Sequence, residues 1–217
     1  VVVASYASEL AIGFGRETRN FIDSKEYQVV FPTKLAEDSQ AAHLWHTREG
    51  GSYYAVGVGS GLTGRPCTTL SVDDPHRGRE DAESIDQRNR VYEWYLSTAE
   101  TRLRPDSVVI LTQTRWHEDD LAGRLLREQP GVWTELKLPA IATEDELFRK
   151  KGEALWPDMY PLEELEKIKI KQGSYNWSAL YQQEPINEEA QKFKKSFFQY
   201  IEPVELEKKK TNNYLTI

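Results

Sequence analysis

The stretch Thr68-Thr69-Leu70-Ser71-Val72-Asp73-Asp74-Pro75-His76 constrains this chain more than any other. A short β-leaning run ends in two adjacent carboxylates, and Pro75 bars its continuation as a central strand. A buried strand of this kind carries acids to the edge of a sheet. In open α/β proteins ligands sit beyond the carboxyl ends of the strands, which places Asp73 and Asp74 toward such a crevice. Mg2+ on a nucleotide phosphate needs a carboxylate, directly or through water, and an attacking water needs a base or an orienting group. The pair can supply both. The residues Asp73-Asp74-Pro75 equally suit a solvated turn after a strand, so the neighbouring segments have to decide.

With 217 residues, 39% of them hydrophobic, the chain can bury one sizeable core and carry a tail. No window approaches the roughly 20 apolar residues of a membrane span, and the amino end lacks a signal-peptide pattern. Cys67 is the single cysteine, which rules out an internal disulfide and suits a reducing cytosol. A net charge of -7 argues against a generally basic coat for nucleic acid, while leaving room for a local patch that holds phosphates. The chain opens on Val1-Val2-Val3 and its one methionine is Met159, so a piece of a longer protein is expected.

Val1-Val2-Val3-Ala4 reads as a buried strand. Ser5 or Ser8 then caps a helix with Leu10, Phe14, Phe21 and Ile22 at helical spacing, and Gly13 and Gly15 weaken it while permitting close packing. Residues 42–57 alternate around Glu49-Gly50-Gly51 as a β-hairpin, expected to be inserted into the core. His43 and His46 sit three apart on its first arm and face opposite sides, which argues against a shared metal. Gly59-Ser60-Gly61-Leu62-Thr63-Gly64 spells G-x-G-x-x-G, yet a strand follows it instead of a helix, so a dinucleotide site fails on context. A loop that places Arg65 near the crevice is the better reading.

Residues 80–103 read as one long helix with Ile85, Tyr92, Leu96, Ala99 and Leu103 inward. A buried strand over residues 107–112 follows and ends in Gln113-Thr114-Arg115-Trp116-His117, a second polar cluster at a strand tip. Glu118-Asp119-Asp120 opens a helix with Leu121, Leu125 and Leu126 inward, and residues 132–138 give one more strand. This alternation implies an α/β protein with a mainly parallel sheet sandwiched by helices. Pro161 starts a helix that runs to about Lys171 and stops at Gly173, and a shorter helix over residues 174–183 follows. Residues 1–140 are thus expected to form the core, 141–190 a small helical appendage, and 191–217 a lysine-bearing linker that ends in strand-like Tyr214-Leu215-Thr216-Ile217.

Four segments in order resemble the ATPase motor domain of tailed-phage terminase large subunits: Ser5-Tyr6-Ala7-Ser8-Glu9-Leu10-Ala11; Thr68 to Pro75 with Arg77 and Glu80-Asp81-Ala82-Glu83; Ile110 through Gly123; and Trp177-Ser178-Ala179-Leu180-Tyr181-Gln182-Gln183-Glu184-Pro185. The resemblance spans residues 3–185. It implies an ASCE-type P-loop NTPase that uses ATP and Mg2+ to drive double-stranded DNA into a capsid. In that pattern Asp73 matches the Walker B metal-associated acid and Asp74 the catalytic carboxylate, where many relatives carry glutamate. Thr112, Gln113, Thr114 and Arg115 match the coupling motif that senses the γ-phosphate. Arg65 resembles, in position only, an arginine finger reaching into a neighbour's site. The resemblance further implies a homo-oligomeric ring with portal and small-subunit partners in the cytoplasm of a bacterial host.

The chain departs from the family in one large respect: no G-x-x-x-x-G-K-[ST] occurs in it, so the phosphate-cradling loop and its lysine are not among these residues. The nuclease domain of terminases has no counterpart here either. Two other readings stay open. Asp73, Asp74, His76 and His117 have residue types that suit a divalent-metal hydrolase, and the chain also suits a non-catalytic terminase remnant that binds a partner.

Overall fold

Val2, Val3 and Ala4 are apolar on both alternations, as an interior parallel strand requires, and they form β1 (Val2–Ser5) near the centre of a six-stranded sheet. The computed structural model describes residues 1–186, which make one compact unit. The strand order is β2 (Leu35–Ala41), β3 (Leu44–Thr47), β4 (Ser52–Gly57), β1, β5 (Cys67–Asp73) and β6 (Leu103–Thr112). Strands β4, β1, β5 and β6 run parallel, and β3 and β2 are added antiparallel at one edge. The protein is therefore α/β with a mixed, mostly parallel sheet.

The expected hairpin forms as β3 and β4, closed by Thr47 N–H to the Gly51 carbonyl at 2.9 Å with Gly50 at φ 86. It is not an insertion. Its second arm pairs with β1 and is a core strand, and its first arm pairs with β2, which the sequence pattern hid. Glu37, Asp38, Ser39 and Gln40 make β2 look like a loop, because an edge strand with an open face needs no apolar alternation.

Helix α1 (Ser8–Ile22) corrects a second expectation. Leu10, Phe14 and Phe21 point outward, 39%, 39% and 61% exposed, and the helix packs through Ala11, Gly15 and Ile22. Close approach is the reason. A Cβ on Gly15 would lie 2.4 Å from Tyr53 Cε1 and 2.5 Å from the Ala42 carbonyl oxygen, whereas one on Gly13 would meet nothing. Trp45 Nε1 donates to the Gly15 carbonyl at 3.0 Å and the Tyr53 hydroxyl to that of Ala11 at 2.7 Å, with the two rings stacked 5.1 Å apart. Neither serine caps the helix; Ala7 is the N-cap and has no side-chain bond to offer. A short helix, α2 (Lys25–Val30), follows.

The long helix expected over residues 80–103 is broken. Ser84 turns extended at ψ 116, ends α3 (Arg79–Glu83) and caps α4 (Ile85–Trp94) by accepting from the Gln87 N–H at 3.4 Å. A π-turn (Tyr95–Ala99) and a 3-10 turn (Glu100–Arg102) lead directly into β6, and Ile85 is left exposed. Val91, Trp94 and Tyr95, with Leu121 and Leu125 of α5 (Leu121–Glu128), close over Val2, Ala4, Leu70 and Val72 as the main core. Each large side chain buried there contributes roughly 1.5–3 kcal/mol.

Cover on the opposite face is incomplete. Helix α1 packs on β4 and β1, but Ile110, in register with Ser71 and Val3 on that same face, is 50% exposed, and Val108 is 56% exposed. The strand expected over residues 132–138 does not form: Val132 and Leu136 are 72% and 82% exposed, and β6 remains the sheet edge.

The appendage has its own small core of Ala154, Leu165 and Trp177, with Tyr181 stacked on Trp177 at 5.2 Å. Gly173, at φ 73, kinks α6 (Leu162–Asn176) where a stop was expected, and a π-turn (Trp177–Tyr181) continues the chain. Gln182 and Gln183 use their amides as strand mimics, each donating to and accepting from the backbone of Ile141 and Leu138 respectively. Among the described residues no helix is long and apolar enough to cross a membrane. The expected linker over residues 191–217 lies outside the described residues.

Candidate active site

Three strand ends meet in one row. Ser5 is in register with Asp73, and Asp73 with Thr112. In-register residues on neighbouring strands, about 4.8 Å apart, share a sheet face, so a hydroxyl, a carboxylate and a second hydroxyl line up at the carboxyl edge. The Ser5 side chain is fully buried and its Oγ has no hydrogen-bond partner among the described residues. Burial first, and the negative charge of Asp74 second, push the Asp73 carboxyl above its ordinary range. A cation beside it would reverse that effect. This all-oxygen row suits Mg2+, with Asp73 as the residue that could supply the charged ligand and the sealed Ser5 hydroxyl beside it.

Asp74 is not part of a loose turn. Its N–H donates to the Thr112 carbonyl at 2.9 Å and its carbonyl accepts from the Tyr6 N–H at 3.1 Å, which extends the β1–β5–β6 pairing by one residue. Its φ of 41 lies in the left-handed region, which an aspartate tolerates better than most residues. That twist turns its carboxylate across the gap between strands, where Oδ1 accepts from the Thr114 N–H at 2.7 Å. The two adjacent acids thereby have different tasks: Asp73 sits in the strand row, and Asp74 is tied to the segment after β6.

That segment divides in the same way. Gln113 has both amide atoms buried without a partner among the described residues. Arg115 is engaged: its Nε donates to Oδ1 and Oδ2 of the fully buried Asp120 at 3.1 and 2.9 Å, and Asp120 also caps α5 through the Gly123 N–H at 3.0 Å. Arg115 is therefore a structural anchor here. Gly123 has to be glycine, since a Cβ would sit 1.9 Å from the Glu118 carbonyl oxygen.

Asp119 is a hub that sequence reading passed over as helix-start acidity. Arg124 and Arg127 reach it at 2.7 and 2.8 Å, and Arg88 at 3.4 Å. Burial pushes its carboxyl up, but the hydrogen bonds and charges of Arg124 and Arg127 prevail and hold it at about 2. His76 is 4% exposed, with neither ring nitrogen paired among the described residues, and His117 Nδ1 accepts from the Asp119 N–H at 2.9 Å. Among the described residues no three His, Cys, Asp or Glu side chains group as metal ligands, so Asp73, Asp74, His76 and His117 do not converge.

Arg65 is not near the crevice. It lies two residues before β5, at the opposite end of that strand from Asp73, with its guanidinium 4.1 Å from the Tyr54 ring centroid. The length of β5 alone separates the two by about 20 Å. The Gly59 to Gly64 segment is a loop that leads to β5, with Gly59 and Gly64 at φ 86 and 73, and opens no helix. Arg79 was also missed. It stacks over Tyr175 at 4.4 Å, pairs with Glu83 and bonds Asn176, and so latches α3 to α6.

The fold and this row define an α/β protein with a carboxylate pair at the carboxyl edge of a parallel sheet. No protein-family model matches the chain, and no curated protein matches it.

Proposed function

We propose that this chain is the core of an ATP-hydrolysing DNA-packaging motor of the terminase large-subunit type, an ASCE-like P-loop NTPase fold that uses ATP and Mg2+. Asp73 holds the metal, with Ser5 beside it, and Asp74 orients or deprotonates the attacking water. Thr112, Gln113 and Thr114 follow the γ-phosphate, and Arg115 fixes the start of α5. The observation that carries the reading is the 2.7 Å bond between Asp74 and Thr114, because it ties the water-handling acid to the segment that reports hydrolysis. When Asp74 shifts with its water, the backbone of Thr114 shifts too. Double-stranded DNA, portal and small-subunit partners, and work in a bacterial cytoplasm, come with this reading. Arg65 can act only in a neighbouring copy of a ring, given its distance from Asp73 in its own chain.

The chain of 217 residues is expected to show ATP turnover near background, because it carries no phosphate-gripping lysine motif. Turnover is expected once a strand–loop–helix with G-x-x-x-x-G-K-[ST] is supplied, and to vanish in Asp73→Ala. Mg2+-dependent hydrolysis that survives Asp73→Ala in that complemented protein removes the ATPase assignment. Robust turnover by the chain alone, lost in Asp73→Ala, keeps the assignment and removes only the need for the grip. The metal-hydrolase alternative predicts tight divalent-metal binding without nucleotide, which the unconverged histidines do not favour.

A further inference from the structure

We infer that the loop over residues 141–154 and the pocket beside it form a docking site for a partner protein, through a segment that carries large apolar side chains next to lysine or arginine. The loop is a closed excursion of the appendage. An antiparallel bridge between Ile141 and Ala154 joins its ends, and its neck is closed by the Ala142 N–H to the Glu153 carbonyl at 2.9 Å and the Gly152 N–H to the Ala142 carbonyl at 2.8 Å. Acids fix its interior. Glu146 accepts from Nε and Nη2 of Arg149 at 2.6 and 2.9 Å, and Asp145 accepts from Lys150 Nζ at 2.9 Å and from the Lys151 N–H at 3.0 Å. These bonds hold Leu147 and Phe148 in water, 87% and 93% exposed. A pocket of about 640 Å³ adjoins them, with Phe148, Leu138, Leu155, Pro161 and Leu162 in its lining. A slack loop would fold its leucine and phenylalanine back into such a pocket. A loop tied at this many points presents them in a fixed place, which is how a recognition surface lowers the ordering cost of binding.

Charge selects the occupant. Residues 144–164 carry seven acids against three bases. Arg149 and Lys150 are engaged by Glu146 and Asp145, and Glu163 and Glu164 are answered by Lys167. Among the described residues that leaves Glu144, Glu153 and Asp158 without an ion pair, against Lys151 alone. Glu153 is in the pocket lining itself, where its carboxylate accepts the Lys150 N–H at 2.7 Å and meets no cation. An apolar pocket with an unanswered carboxylate at its wall is complementary to an apolar side chain flanked by a cation. The same acids repel phosphate, which disfavours DNA and anionic lipid here, and a second copy of a chain with net charge -7 is disfavoured likewise. Trp156, Met159 and Tyr160, exposed on the turn between Leu155 and Pro161, extend the apolar surface with residue types that protein interfaces favour. The inference holds whether or not the chain hydrolyses ATP.

The test is fluorescence anisotropy on the full 217-residue chain with a labelled 18-residue amphipathic peptide of leucine and lysine, and with its counterpart that has glutamate for lysine. The lysine peptide is expected to bind saturably and the glutamate peptide not to bind. Phe148→Ser should weaken binding at least tenfold; the side chain is exposed, so near-UV circular dichroism should stay native. Glu153→Lys should weaken it at least fivefold. Glu17→Lys, which makes the same change of charge at an exposed position of α1, should change it less than twofold. Absence of binding, equal binding of the two peptides, no effect of Phe148→Ser, or equal losses in Glu153→Lys and Glu17→Lys overturns the proposal. Two further results overturn it by changing the occupant: binding to phosphatidylglycerol vesicles that Phe148→Ser abolishes makes it a membrane, and a dimer in sedimentation that Phe148→Ser dissociates makes it a second copy.

Discussion

Asp74 and Thr114, forty residues apart, are joined by a 2.7 Å hydrogen bond from the Thr114 backbone N–H to the Asp74 carboxylate, which a left-handed turn at φ 41 aims across the sheet edge. The bond is charge-assisted, and the backbone that presents it is strained for most residues.

Two substitutions at Asp74 should therefore separate structure from chemistry. Asn tolerates the left-handed turn and keeps an acceptor, so Asp74→Asn should cost less than about 1 kcal/mol, while Asp74→Ala should cost about 2–4 kcal/mol through strain and the lost bond. Both should abolish ATP turnover in the complemented protein. Urea denaturation of the two variants checks this; equal stabilities would mean that the tie contributes nothing.

Glycines two residues apart in α1 should respond with opposite signs. Gly15→Ala drives a methyl into Tyr53 and the Ala42 carbonyl, and should destabilise by about 1–3 kcal/mol or more. Gly13→Ala meets open space in a helix, and should stabilise by about 0.5–1 kcal/mol. Thermal unfolding of the pair decides whether α1 is seated as described.

Asp119 should supply an acid-sensitive part of the stability. Its carboxyl is held at about 2 in the folded chain against 3.8 for an ordinary aspartate, so its contribution of about 2 kcal/mol is fully present above pH 4 and is lost as the pH falls toward 2. Asp119→Asn should be less stable at pH 7 and flatter between pH 4 and 2. A parallel pH profile for the two proteins would contradict the arginine hub.

Acidification has a second, milder effect at higher pH. Burial pushes His76 and His117 below the ordinary 6.5, so the unfolded chain binds more protons than the folded one once the pH drops under that value. Stability should fall between pH 7 and 5, and His76→Phe should flatten this limb. A stability that rises on acidification in that range would show that the two imidazoles gain proton-stabilising partners in the fold.

Much of the fold was legible because burial leaves local marks. Apolar runs at Val2–Ala4, Leu70–Val72 and Val109–Leu111 became three adjacent parallel strands, and the turn at Gly50 became a turn. The acid pair fell at a strand end, as its Pro75 boundary implied. Polar β2 was illegible because an edge strand is defined by its partner, and the outward face of α1 because a helix seated on Gly15 packs by closeness and not by bulk.

What the sequence determined by itself was which segments are buried and where carboxylates interrupt them, since both follow from neighbouring residues along the chain. Only the tertiary structure decided that Asp74 binds Thr114, that Arg115 is spent on Asp120, that Arg65 stands at the far end of β5, and that residues 132–138 join no strand among the described residues. Those outcomes depend on strand order and on which edges find partners. Such contacts join residues far apart in the chain, and no local pattern encodes them.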